Sequence, residues 1–202
     1  MDEACTPGRL MPESPTGHSS LPFGEPRKNT SVKKALLLID LQNDYFPGGL
    51  FPLWNTENTL AAVKDAIGRA AAADILLVHI QHIADPNAGI APFFNPGTQG
   101  AMIHPEVLAA APDAPVVIKH HADSFFKTDL EKILAEHGVG ELLVCGMMTQ
   151  NCVTHTAISK SAEKYSVSIL PDCCTTVSEP IHLIALHAVS TRVPLISSKD
   201  AI

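Results

Sequence analysis

Three residues of types that can do covalent chemistry stand at abrupt breaks in an apolar pattern. Asp40 ends the run Ala35-Leu36-Leu37-Leu38-Ile39, Lys119 ends Val116-Val117-Ile118, and Cys152 follows the turn opened by Gly146. A thiol that loses its proton is a strong nucleophile, a carboxylate can take that proton, and an ammonium favours the negative charge that results. Together they describe attack on a carbonyl carbon through a thioester. Singly, each has a plainer reading: a cysteine is a small core residue, an aspartate caps a turn, and a lysine at a strand end is a surface cation. The plainer reading is adopted for Cys145, inside an apolar run, and for Cys173 and Cys174.

The three can act together only if the fold brings them together. The uninterrupted apolar run at 35–39 reads as a strand buried on both faces, and the mainly apolar runs at 75–80, 116–118, 142–145, 167–170 and 193–196 read as further strands. Between them lie helical patterns near 56–71, 128–136, 152–164 and 181–190. In the first of these, Leu60, Val63, Ile67, Ala70 and Ala71 form one apolar stripe. Alternating strands and helices imply right-handed crossovers. The expected fold is a doubly wound α/β domain over 33–202, a mostly parallel six-stranded sheet with helices on both faces. Ligands of such sheets bind beyond the carboxyl ends of the strands, where Asp40, Lys119 and the 146–152 turn all fall. Cys152 at the start of its predicted helix would have its thiol pKa lowered by the helix N-terminus. The Pro-, Gly- and Asn-rich stretch 82–114 is too long for a simple connector and reads as a lid or pocket wall.

Three segments, LLLIDLQNDYFPGG (36–49), VIKHHADSFFKTDL (117–130) and VCGMMTQNCVTHTA (144–157), in this order, resemble the isochorismatase-like cysteine hydrolases. That superfamily includes nicotinamidases and N-carbamoylsarcosine amidases. The resemblance runs from about Lys34 to the C-terminus. It implies Asp40, Lys119 and Cys152 as the catalytic residues, and a cis peptide bond joining Met147 to Met148. The backbone N–H groups of Met148 and Cys152 would then form an oxyanion hole. Tyr45 and Phe125 fall where such enzymes line the substrate pocket, and Phe93 and Phe94 either close the pocket or anchor the long loop. The implied substrate is a small amide, carbamoyl or ureido compound, or nicotinamide, and the implied assembly is a homodimer or homotetramer. Metal-binding relatives carry an Asp-x-His after the second strand. Here the order is His79-Ile80-Gln81-His82-Ile83-Ala84-Asp85, and the two histidines need not converge. No metal and no other cofactor is therefore expected. His155, three residues past Cys152, is a lesser candidate for the site, and His182 is assigned to packing or an interface.

Composition narrows the alternatives. The 202 residues are 46% hydrophobic and 17% charged, the balance of an ordinary globular chain. A formal net charge of -7 without basic blocks argues against a nucleic-acid or anionic-membrane partner. No apolar run approaches the ~18 residues that span a bilayer. Five scattered cysteines without a CxxC spacing, and no apolar signal core near the start, indicate reduced thiols in the cytoplasm. Residues 1–32, rich in proline, read as a flexible tail, with Leu21, Pro22 and Phe23 as a candidate partner-wrapping arm. A nucleotide- or flavin-binding module of the same fold class would need a Gly-rich phosphate loop, and Pro47-Gly48-Gly49 does not match GxGxxG.

Overall fold

The apolar runs become the centre of a parallel sheet. The computed structural model describes Met1 and residues 32–202, and Val32–Ile202 form one compact unit. The expected tail and its Leu21-Pro22-Phe23 arm lie outside the described residues. Strands β1 (Lys33–Ile39), β2 (Leu76–His82), β3 (Val116–Lys119), β4 (Val139–Met147) and β5 (Ser166–Thr175) lie in the order β3-β2-β1-β4-β5. All four pairings are parallel. Ala35 to Ile39 are at most 1% exposed, as a central strand covered on both faces requires. The cover comes from α1 (Thr56–Ala72), α2 (Pro105–Ala110), α3 (Leu130–Glu136), α4 (Thr154–Ala157), α5 (Glu179–Val189) and α6 (Ser198–Ala201).

The sheet has five strands, not the six expected. The 193–196 segment makes only an isolated parallel bridge, Leu195 to Ile169. Pro194 has no N–H to extend a ladder, so the contact reduces to Ile169 N–H to Pro194 O and Ile196 N–H to Ile169 O. β5, in contrast, runs through Pro171, where it was expected to stop. Its register with β4 jumps from Val144↔Ile169 to Gly146↔Cys174. That irregularity spares the ladder the missing proline donor.

Two further differences bear on the site. β2 extends two residues beyond the expected end and includes Gln81 and His82. The helix expected over 152–164 is instead a π turn (Thr149–Val153), the single turn α4, and a 3-10 turn (Lys160–Lys164). Ser159 breaks the run, its hydroxyl accepting from Ser161 N–H at 3.3 Å, a local competition with helix typical of serine.

The register sets the carboxyl ends of β3, β2, β1 and β4 side by side. Ile39 pairs with Ile80 on one side and Gly146 on the other, and His82 pairs with Lys119. Gly146 is required there. Its φ is +116°, and a Cβ would stand 2.1 Å from Ile39 O. No other residue type fits so close an approach of β4 to β1. The broad cleft lined by Lys33, Ala71, Leu76, Pro115 and Val139 opens at the opposite end of the strands, away from all of these groups.

Candidate active site

Asp40 leaves β1 with φ +50°, a left-handed conformation uncommon outside glycine but tolerated by aspartate, and typical of functional positions. Its N–H remains tied to Ile80 O and its C=O accepts from Gln42 N–H, both at 2.9 Å. The carboxylate is therefore delivered in a fixed direction. Lys119 Nζ donates to Asp40 Oδ2 at 2.9 Å, and both side chains are fully buried. The other oxygen, Oδ1, is buried and has no hydrogen-bond partner among the described residues. A buried carboxylate oxygen left bare is costly. The Cys152 sulfur lies close to this carboxylate. One donor atom from each of Asp40, His82 and Cys152 lies within 4.8 Å of the others. Cys152 is 2% exposed.

Burial first, then the Asp40 charge, pushes the Cys152 thiol well up, and the opposing Lys119 charge does not reverse this. The lowered thiol pKa expected from a helix N-terminus is thus corrected. Cys152 sits inside a π turn, buried and beside the Asp40 carboxylate, and both act against the thiolate. For Lys119, burial works to lower the ammonium, but Asp40 and then Cys152 outweigh it and leave it above its ordinary value.

The turn that carries Cys152 is braced from behind. Thr149 Oγ1 donates its one proton to Thr175 O at 3.0 Å, so at 2.9 Å it accepts from His182 Nδ1. His182, assigned on sequence to packing or an interface, therefore anchors the turn that carries Cys152. The Met147–Met148 peptide bond is cis, and the Met148 N–H makes no backbone hydrogen bond to another described residue.

The aromatic candidates divide. Tyr45 is 2% exposed, and its ring packs 4.5 Å from Phe94 and 5.3 Å from Phe93, centroid to centroid. Burial and the nearby Asp40 and Cys152 push its phenol up, so it stays protonated. Phe94 is wholly buried, with φ +60°, and its N–H donates to the buried Asp44 Oδ2 at 2.7 Å. Asp44 Oδ1 accepts from Leu50 N–H. One carboxylate thus ties the long 82–114 loop to the segment after β1. Phe94 is an anchor of the loop, and Phe93 is the half-buried ring above Tyr45 and Phe51. Phe125 lies elsewhere in the aromatic packing, stacked on Tyr165 at 6.0 Å. His155 is exposed, its Nδ1 paired with Asn151 O.

Sequence reasoning missed His82 and Gln42. Lys119 Nζ lies 3.1 Å from His82 Nδ1. The His79 ring is buried, with Nε2 2.9 Å from Ala111 O. The signal for His82 lay in the length of β2. The polar pair Gln81-His82 looks like loop, but Gln42 completes the strand from its side chain, donating to His82 O and accepting from His82 N–H. A divalent cation between Asp40, His82 and Cys152 would have to displace the ammonium from two of its partners, Asp40 and His82.

Comparison with known proteins identifies the family. The isochorismatase domain family matches residues 34–200. An uncharacterized isochorismatase family protein of Bacillus subtilis, YddQ, is 40% identical over 144 residues, 71% of this chain and 78% of the relative. Streptothricin hydrolase of Streptomyces noursei is 33% identical over 168 residues, 83% of this chain but only 63% of the relative. The structure of an isochorismatase-like hydrolase from Alkaliphilus metalliredigens superposes with a TM-score of 0.76 at 27% identity, covering 84% of this chain and 97% of that one. The chain belongs to the isochorismatase family of hydrolases.

Proposed function

We propose that the protein hydrolyses a C–N bond of a small amide, carbamoyl or ureido compound through a thioester on Cys152. The observation that carries this reading is the Cys152 sulfur within 4.8 Å of an Asp40 carboxylate oxygen, with Asp40 Oδ2 pinned by Lys119 and Oδ1 left without a partner among the described residues. A substrate carbonyl settles against the N–H groups of Met148 and Cys152. As the sulfur attacks the carbonyl carbon, the thiol proton passes to Asp40 Oδ1, and the developing oxyanion is held by the two N–H groups. Collapse breaks the C–N bond, and Asp40 returns the proton to the departing ammonia or amine. Water then attacks the thioester with Asp40 as base, releasing the acid, and Asp40 reprotonates the sulfur. Lys119 keeps the carboxylate oriented and offsets the negative charge throughout. Tyr45 and Phe93 form the apolar wall of the substrate site, with Phe125 retained as a more distant candidate. The homodimer or homotetramer is proposed on the family resemblance, and the cytoplasmic setting on the scattered cysteines of the sequence. Among the described residues no helix is long and apolar enough to cross a membrane.

The test is a release assay for ammonia or amine over small primary amides, carbamoyl and ureido compounds, nicotinamide and streptothricin, with Cys152→Ala as the blank. At least one compound is expected to turn over, and the blank to be slower by ~10³-fold or more. Turnover retained in the blank would remove the thioester from the mechanism.

A further inference from the structure

An ammonium group has three N–H donors and no acceptor. Lys119 places all three: on Asp40 Oδ2 at 2.9 Å, on His82 Nδ1 at 3.1 Å and on His121 O at 3.1 Å. His82 Nδ1 must then be bare, which leaves the ring proton on Nε2 and the ring neutral. The histidine is itself held. Gln42, fully buried, donates from Nε2 to His82 O and to Ala101 O, each at 2.8 Å, and accepts from His82 N–H at 2.7 Å. The His82 ring lies 5.9 Å from that of Phe94, centroid to centroid.

We propose that His82 is a positioning residue for Lys119, its bare Nδ1 fixing the ammonium in place with Gln42 as the brace behind it. The proposal rests on the reading of Lys119 as part of the hydrolase site. A lysine nitrogen rides on a flexible four-carbon stem, and three acceptors in three directions define its position where two leave it free to pivot. When the ammonium pivots, the Asp40 oxygen bonded to it turns as well, and Oδ1 no longer aims at the sulfur. Misplacement of about 1 Å is enough to cost ~10²-fold in rate.

The brace works only with a neutral ring, because a proton on Nδ1 would set N–H against N–H. The charged and titratable groups facing His82 are Lys119, Asp40, His120 and His121, with Cys152 within 4.8 Å. Burial first, and the Lys119 charge second, pull the imidazole down to about 4. The geometry and the protonation state therefore agree.

Two measurements test this. In ¹⁵N NMR of the full wild-type chain, with His82 assigned against His82→Asn, the ring is expected as the neutral Nε2–H tautomer from pH 8 down to about pH 5. A proton on Nδ1, or an imidazolium at pH 6, overturns the proposal. In kinetics, His82→Leu removes the acceptor, whereas the Oδ1 of His82→Asn falls near the position of Nδ1. The leucine variant is expected to lose ~30-fold or more in kcat with KM nearly unchanged, and the asparagine variant to recover to within ~5-fold of wild type. Equal losses in the two variants would assign His82 to packing alone, and a leucine variant with wild-type kcat would leave it no role; either result overturns the proposal. The tautomer is read without any substrate or variant turnover. Its failure is therefore separate from failure of the hydrolase reading, which shows in Cys152→Ala.

Discussion

Asp40→Asn is expected to make Cys152 more reactive toward iodoacetamide and, at the same time, to cut turnover by ~10²- to 10⁴-fold. The two effects point in opposite directions because Asp40 acts on the sulfur in two ways. As a fixed negative charge it raises the thiol pKa, second only to burial. As the holder of a bare buried oxygen it is the one described carboxylate placed to accept the thiol proton. Asparagine removes the charge, so a thiolate forms at lower pH and alkylation speeds up. It also removes the base, so a bound amide is no longer attacked. The measurement is the iodoacetamide rate against pH beside the hydrolysis rate on the same preparation. Parallel losses of both would mean that Asp40 is only a structural partner of Lys119.

Lys119→Met is expected to give the largest combined loss. Methionine fills a similar volume but strands the Asp40 carboxylate, and it leaves His82 Nδ1 and His121 O without the donor they now share. Removing one partner of a fully buried pair typically costs about 3–5 kcal/mol, because the other charge stays uncompensated. For a chain of this size that is a fall in Tm of about 6–20 °C. The Cys152 thiol loses the charge that lowers its pKa, so alkylation should slow, the reverse of Asp40→Asn, and hydrolysis should drop by ~10²-fold or more. Pairing the change with Asp40→Leu separates stability from chemistry. The double variant should regain most of the lost stability, since two apolar groups can replace a buried ion pair at little cost, and should remain inactive. Urea unfolding and the turnover assay together check both statements.

What could be read from the residues was whatever local pattern determines. The all-apolar β1 run announces a strand buried on both faces, and the polar residue that ends each run marks the rim where ligands bind. Asp40, Lys119 and Cys152 are therefore legible as a set, and Gly146 as the break before the nucleophile turn. The missed features are tertiary. β2 reaches His82 because it pairs with β3 there, His82 with Lys119, while the side chain of Gln42, distant in sequence, takes up its hydrogen bonds on the other edge. β5 passes Pro171 because the register slips there, and no pattern within 166–175 reveals a neighbour's register. The expected helix after Cys152 fails at Ser159, and a bare apolar run at 193–196 is too weak to be a strand once Pro194 sits in its middle. The thiol pKa was misread for a related reason. A helix start can be seen in sequence, whereas complete burial beside an anion cannot.

The central claim is that Cys152 carries the acyl group of its substrate. Mixing the enzyme with the amide that it turns over fastest, quenching in acid within a turnover and measuring the intact mass tests this directly. The expected result is a species heavier by the acyl group, mapped to the peptide containing Cys152 and absent from Cys152→Ala. An unmodified Cys152 peptide through a full time course of product release, under conditions that preserve a thioester standard, would contradict it.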